Sequence, residues 1–186
     1  MTIPRELKLK KNENGYFIYS QPVKEIADYK KLKIEKQNIN YNDEFVLIDN
    51  NDVDINKSVI EIQLSNLKDD NYVFKLSNSQ GDVLEFGINN SDHNYYIDRT
   101  KSGNIDFSNK FANTISKAKF EEQLDNVSIQ MFIDKTSIEL FYNYGKTVMT
   151  EIFFPNSPME NLKLVNLNHS ETTIDKLVVS ELELKN

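Results

Sequence analysis

The stretch from Val127 to Pro155, VSIQMFIDKTSIELFYNYGKTVMTEIFFP, constrains the fold more than any other part of the chain. It holds three runs of strictly alternating side chains separated by short links. In the first, Val127, Ile129, Met131 and Ile133 share a face opposite Ser128, Gln130 and Asp134. In the second, Ile138, Leu140 and Tyr142 alternate with Ser137, Glu139 and Asn143. In the third, Val148, Thr150, Ile152 and Phe154 alternate with Thr147, Met149, Glu151 and Phe153. A strand sends successive side chains to opposite faces, so each run reads as a half-buried β-strand. The links 134–136 and 143–146 carry turn chemistry, with Gly145 free to take a positive φ. Three antiparallel strands in succession make a meander, and a single small sheet buries too little apolar surface to be stable alone. A second sheet must cover it.

The remaining chain supplies one. Leu7 and Leu9 alternate with Lys8 and Lys10, Asn14-Gly15 turns, and Tyr16 to Ser20 returns, which predicts an N-terminal hairpin over residues 1–22. Val23, Ile26, Ala27 and Lys30 recur at helical spacing, predicting a short connecting helix over residues 23–32. From Ile34 onward the pattern is strand and turn. Phe45–Ile48 is a short apolar run, and Ile60, Ile62 and Leu64 alternate with Glu61 and Gln63. A turn at Asp69-Asp70-Asn71 precedes Tyr72, Phe74 and Leu76, and a turn at Gln80-Gly81-Asp82 precedes Leu84, Phe86 and Ile88. Residues 95–98, 162–167 and 177–184 supply further strands, and residues 99–119 form the one long irregular stretch. The expectation is an all-β, two-sheet antiparallel sandwich, with residues 1–33 as hairpin and linker helix and residues 34–186 as the sandwich domain.

Composition narrows the function classes. At 186 residues, with 39% hydrophobic and 27% charged side chains, the chain can bury about two-thirds of its unfolded surface as a single domain. Its net charge is −7, and a nucleic-acid partner is not expected, because binding phosphates needs a cationic footprint. Lys30, Lys31 and Lys33 form the one dense cation cluster, read as a solvated face flanked by Asp28 and Glu35. There is no cysteine, hence neither disulfide nor thiolate chemistry. No apolar run approaches the roughly 18 residues of a membrane span. Four Asn-x-Ser sequons, at Asn56, Asn89, Asn126 and Asn168, follow from the abundance of asparagine.

Metal and ligand chemistry leave few openings. The segment Asp49–Asn56 has the look of a calcium loop, with Asp52, Asp54 and Asn56 at alternate positions. Lys57 stands where the EF-hand needs glycine and Gln63 where it needs glutamate, so it is read as an Asx-rich loop. His93 and His169, the only histidines, are far apart and cannot make a zinc site. No cofactor is expected. Aromatic side chains are what a sugar-binding surface uses, and Tyr95, Tyr96 and Tyr144 are candidate carbohydrate contacts, Tyr144 by its place at a turn tip. Phe141 and Tyr142 share the same ambiguity between core and surface.

Three segments carry a resemblance. Asp134-x-x-Ser137-Ile-Glu139-Leu-Phe141, Asn143-x-Gly145, Thr150 and Phe154-Pro155 form the first; Tyr96-Ile-Asp98-Arg99-Thr-x-Ser102-Gly103 the second; Ile3-Pro-Arg-Glu-Leu7 the third. Together, and in their order along the chain, they resemble the C-terminal β-sandwich of glycoside hydrolase family 32, which comprises levanases, inulinases, invertases and sucrose-6-phosphate hydrolases. The resemblance covers essentially the whole chain and implies a concanavalin-type, lectin-like sandwich packed against a catalytic propeller, which would be its partner. It implies structural roles for Asp98, Arg99, Ser102, Gly103, Asp134, Ser137, Glu139, Phe141 and Gly145. The family's catalytic motifs are Trp-x-Asn-Asp-Pro-Asn-Gly, Arg-Asp-Pro and Glu-Cys, all of the propeller. None occurs here, and the sole Asp-Arg pair, Asp98-Arg99, runs in the wrong order. No catalytic residue is therefore expected.

Two further expectations follow from the residues. Arg99, in a chain whose cations are nearly all lysine, should hold a carboxylate bidentately, and Asp134 and Glu139 could either hydrogen-bond backbone in the turn after residue 134 or pair with Arg99 across strands. A domain built to brace a propeller should expose a contiguous apolar patch that includes the residues 1–22 hairpin. A free fructan-binding module should instead offer a cleft with exposed rings and convergent amides.

Overall fold

The computed structural model describes residues 2–12, 15–49, 53–68 and 70–183. Asn14 of the expected hairpin turn, residues 50–52 of the Asx-rich loop, Asp69 and Leu184 lie outside the described residues. The N-terminal hairpin is β1 (Arg5–Asn12) paired with β2 (Gly15–Pro22), and a single 3-10 helix, Lys24–Tyr29, follows it. The sandwich comprises β3 (Lys30–Tyr41), β4 (Glu44–Ile48), β5 (Lys57–Ser65), β6 (Asn71–Ser77), β7 (Val83–Asn89) and β8 (Asn94–Lys101). It continues with β9 (Ser116–Lys119), β10 (Asn126–Asp134), β11 (Ser137–Tyr142), β12 (Thr147–Ile152), β13 (Asn161–Asn166) and β14 (Thr172–Leu182). Twelve of these strands form two six-stranded antiparallel sheets. Sheet 1 runs β12-β11-β10-β5-β14-β3, and sheet 2 runs β4-β13-β6-β7-β8-β9. No helix among the described residues is long and apolar enough to cross a membrane.

The alternation seen in the sequence becomes the core. Ile129 faces Ile62 and Tyr142 on its two neighbours, and Met131 faces Ile60 and Leu140, so one continuous apolar face of sheet 1 points inward. Sheet 2 answers with Phe74, Leu76, Leu84, Phe86, Ile88, Ile97, Leu162 and Leu164, all shielded from solvent. Phe74 and Phe86 stack at 5.2 Å, and Tyr95 of sheet 2 stacks on Tyr142 of sheet 1 at 3.8 Å between ring centroids. Burying each such side chain contributes about 1.5–3 kcal/mol, which is what holds two sheets face to face.

Several elements depart from the sequence reading, among them β9, a strand inside the stretch of residues 99–119 expected to be irregular. The expected helix over residues 23–32 is shorter and tighter, and Lys30–Lys33 begin β3 instead. β3 is an edge strand, with Tyr41 in the core and only Ile34 and Ile39 partly buried against it. Its lysines therefore mask the apolar alternation, and lysine on an edge also discourages pairing with another chain. The three clustered lysines each meet a carboxylate: Lys30 pairs with Glu61, Lys31 with Glu183 at 3.0 Å, and Lys33 with Glu181 at 3.4 Å. β14 begins at Thr172, five residues before the expected Leu177, because an irregularity between Ile174 and Lys176 breaks its alternation. In β12 the inward residue is Met149, with Phe153 beyond the strand end, while Ile152 is exposed.

Candidate functional site

The outer face of sheet 1 is where the resemblance motifs meet. Alternation along β11 sends Ser137, Glu139 and Phe141 outward, yet Glu139 and Phe141 are 4% and 2% exposed. The chain ahead of β1 covers them. Ile3 N–H donates to Glu139 Oε1 at 2.7 Å, and Arg5 Nη2 donates to Glu139 Oε2 and, at 2.9 Å, to Thr150 Oγ1. The Arg5 guanidinium lies 5.1 Å from the Phe141 ring centre. Beneath it Val59, Phe132 and Phe141 form a second small core, packed by Ile3, Ile26, Val148 and Leu182. A carboxylate this deep is tolerable only when fully paired.

A second anchor sits at the base of β2. Ser20 N–H donates to the Gly145 carbonyl at 2.9 Å. Gly145 has φ +78°, and a Cβ there would lie 2.0 Å from the Ser20 carbonyl oxygen. Only glycine lets the hairpin come this close. Gly145→Ala is therefore expected to lift the base of the hairpin off the sheet, with about 1–2 kcal/mol of left-handed strain added to the clash. Hydrogen exchange should show the Ser20 amide losing protection while β10 and β5 keep theirs.

The middle motif meets the other edge of β12. Arg99 Nη1 donates to the Ile152 carbonyl at 2.8 Å and pairs with Glu151 at 3.2 Å, while its guanidinium lies 4.4 Å from the Phe111 ring centre. Ser102, fully buried, donates to the Arg99 carbonyl at 2.8 Å, and Asp98 accepts the Thr100 N–H at 2.9 Å. Gly103 has φ +121°, and a Cβ there would sit 2.6 Å from Pro155 Cα, so the second motif closes directly on Phe154-Pro155. Asp134 accepts the Lys135 N–H at 2.8 Å, ordering the β10–β11 turn. Ser137 pairs across the strands with Asp134 and with Ile152.

Of the two alternatives for the carboxylates, Asp134 takes the backbone one in the turn, and neither Asp134 nor Glu139 pairs with Arg99. Glu139 takes Arg5 and Arg99 takes Glu151, because Glu139 lies on the outer face of sheet 1 whereas Arg99 reaches β12 from sheet 2. Arg99 meets both Glu151 and the Ile152 carbonyl through the same Nη1, so the contact with its carboxylate is not bidentate. Arg5 is the residue the sequence reading passed over. Arg5 and Arg99 are the only arginines among 22 basic residues, and the scarcity that drew attention to Arg99 applied equally to Arg5.

The three tyrosines do not come together. Tyr95 is buried against Tyr142, and burial holds its phenol above the ordinary range. Tyr96 is half-buried on β8 and likewise held up by burial, with Glu85 and Asp98 adding to the effect. Tyr144 is 65% exposed.

Beyond its anchored base the hairpin turns an apolar face outward. Leu7, Leu9, Tyr16 and Ile18 are each more than 60% exposed, and the register Leu9–Ile18 and Lys11–Tyr16 places them on one side.

The sequence profile described as Glycosyl hydrolases family 32 C terminal matches residues 25–181. The chain belongs to that family. It is 26% identical over 168 residues to a levanase of Bacillus subtilis, an alignment that takes in 90% of this chain and 25% of the levanase. An exo-inulinase structure from Aspergillus awamori superposes with a TM-score of 0.76 at 19% identity, covering 98% of this chain and 35% of that one. A β-fructofuranosidase from Schwanniomyces occidentalis superposes with a TM-score of 0.78 at 20% identity, covering 98% and 40%. The chain thus spans a quarter to two-fifths of the length of these three proteins. The part it matches is the family 32 C-terminal sandwich, which is separate from the catalytic domain, and these 186 residues alone are not a hydrolase. The N-terminal hairpin, ahead of the profile match, is joined to the family 32 sandwich through Glu139 and Gly145, both on the β11–β12 hairpin.

Proposed function

We propose that this chain is the accessory C-terminal sandwich of a fructan- or sucrose-cleaving glycoside hydrolase and braces the catalytic propeller of that enzyme. Residues 1–33 act as the seam and residues 34–186 as the body of the domain. The observation that carries the reading is the hairpin: one end is fixed to sheet 1 by a part-buried ion pair, and its free length presents Leu7, Leu9, Tyr16 and Ile18 to solvent. An isolated two-stranded hairpin is marginal in water, and an apolar patch at its surface marks a contact with another folded body. Family membership supports reading that body as the catalytic propeller. Asp98, Arg99, Ser102, Gly103, Asp134, Ser137, Glu139, Phe141 and Gly145 then serve the domain by fixing the angle at which the seam leaves it.

The test is a fusion in which a family 32 catalytic propeller precedes Thr2. The wild-type sandwich should raise the melting temperature of the propeller by several degrees over the propeller alone. Replacing Leu9 and Ile18 together with glutamate should cancel most of that gain while leaving the sandwich folded. Equal propeller stability with and without the apolar face would reject the bracing role, and fructose release by the isolated sandwich would reject the non-catalytic one.

A second reading, an independent fructan-binding module, is favoured by a polar groove beside the seam.

A further inference from the structure

The groove lies on the outer face of sheet 1, where the base of the hairpin and the β11–β12 turn stand as two walls. It encloses about 350 Å³, within the range of small-ligand clefts. Its floor is built from cross-strand rows. Ser128, Gln63 and Lys176 oppose one another on β10, β5 and β14, and Phe141, Gln130 and Glu61 form the next row on β11, β10 and β5. Neighbouring strands are about 4.8 Å apart, so each row sets hydrogen-bonding groups at intervals on the scale of one sugar unit. Gln21 closes the hairpin side and Tyr144 the turn side.

The chemistry of these groups selects a ligand. Glu61 already accepts from Lys30 and, at 3.1 Å, from Gln130. Gln21, Gln63, Ser128 and Lys176 have no side-chain partner among the described residues. An anion would meet the Glu61 carboxylate on the floor and a net charge of −7 on the chain. A cation would meet Lys176 and Lys30. An apolar ligand would strand two amides and a hydroxyl without water. A neutral polyhydroxylated ligand satisfies all of them, because each hydroxyl donates and accepts just as a glutamine amide and a serine hydroxyl do.

Tyr144 adds a ring. It is 65% exposed and holds φ +59°, between Asn143 at +48° and Gly145 at +78°. Asparagine and glycine adopt this conformation readily, but a tyrosine there costs about 1–2 kcal/mol and gains no burial in return. An exposed ring in an unfavoured conformation at the rim of a polar groove is explained by contact with the C–H face of a ligand.

We infer that the groove bounded by Gln21, Gln63, Gln130, Ser128, Lys176 and Tyr144 binds a neutral oligosaccharide, one or two sugar units at a time. The site deepens the binding-module reading and is independent of bracing. Gln21 alternates with Ser20 along β2 and so leaves the hairpin on the side opposite Leu7 and Ile18, which leaves the groove open when the apolar face is covered.

Calorimetry on the intact 186-residue chain tests it, with tetrasaccharides of the levan, inulin, malto and cello series and with a sugar phosphate as the anionic comparison. Saturable heat is expected with at least one neutral member, at micromolar to millimolar affinity. That affinity should fall at least tenfold in Gln63→Ala and in Tyr144→Asn, the second of which removes the ring but keeps a residue suited to the turn. Amide shifts mapping to β10, β5 and the residue 143–146 turn would place the ligand without any substitution. No heat with any neutral member, heat unchanged in both variants, or tighter binding of the sugar phosphate would overturn the inference. None of these results touches the propeller fusion, whose readout is melting temperature without sugar.

Discussion

Arg5→Met should release the hairpin and destabilise the domain by about 3 kcal/mol, the low end of what breaking a buried ion pair costs. The reasoning starts from asymmetry. Glu139 has a side chain only 5% exposed, whereas Arg5 is 24% exposed, so the substitution leaves the deeper charge without its partner. Two outcomes compete for the lowest free energy. Either the Glu139 carboxylate stays under Ile3 with only the backbone N–H for compensation, or the segment ahead of β1 lifts and lets water in. Lifting uncovers Phe132 and Phe141 at a cost of about 25 cal/mol per Å² of apolar surface, so the loss is bounded by whichever is smaller. The double variant Arg5→Met with Glu139→Leu should recover most of the lost stability, since two apolar groups of similar shape need no compensation. Denaturant midpoints for the four members of the cycle decide it. A single Arg5→Met change within 0.5 kcal/mol of wild type would mean that the pair does not hold the hairpin.

The same geometry explains how far the sequence could be read. The meander from Val127 to Pro155 was legible because its inward residues repeat with period two and sit beside equally apolar neighbours in β5. β3 was not legible, because a strand at an edge needs few inward residues, here Ile34, Ile39 and Tyr41, and its lysines dominate the pattern. The nine motif positions were visible one segment at a time. What joins them was not, since Arg5 and Glu139 are 134 residues apart and their meeting depends on how the hairpin leaves the sheet. The tyrosines show the same limit. Tyr95 and Tyr144 are both aromatic residues beside strands, and only the sheet they belong to, or the turn, tells which is core and which is rim. The groove is built from four strands, a turn and the hairpin base, so no stretch of sequence contains it.

Asp82→Ala should be as damaging as loss of Arg5, at about 3 kcal/mol, and it acts on the opposite side of the Phe154-Pro155 motif. Asp82 is 5% exposed and accepts from Asn78 Nδ2 at 2.8 Å, Asn156 N at 2.6 Å and Asn156 Nδ2 at 2.8 Å. It thereby ties the β6–β7 turn to the segment on which Gly103 closes. Truncation takes the acceptor from three donors at once, one on buried Asn78 and two on exposed Asn156, and hydrogen bonds to a charged group are worth about 1.5–3 kcal/mol each before solvent and relaxation reduce the loss. Asp82→Asn should cost less, because its amide oxygen still accepts. Burial alone would raise the Asp82 carboxyl, but the donors from Asn78 and Asn156 outweigh it and hold the group below its ordinary 3.8. Glu181, buried and paired with Lys33 and Lys57, is likewise held down against burial by the Asp54 N–H and the two lysines. A carboxyl whose folded value lies below its unfolded one binds fewer protons when folded. Its stabilisation is complete above the unfolded value and fades as pH falls through the folded one. Wild type should therefore hold its denaturant midpoint from neutrality down to about pH 5 and lose it steeply below about pH 4. In Asp82→Asn the loss below pH 4 should be shallower, because one of the two responsible groups no longer titrates. An acid slope identical to that of wild type would show that Asp82 is not held in its charged form by the turn it ties down.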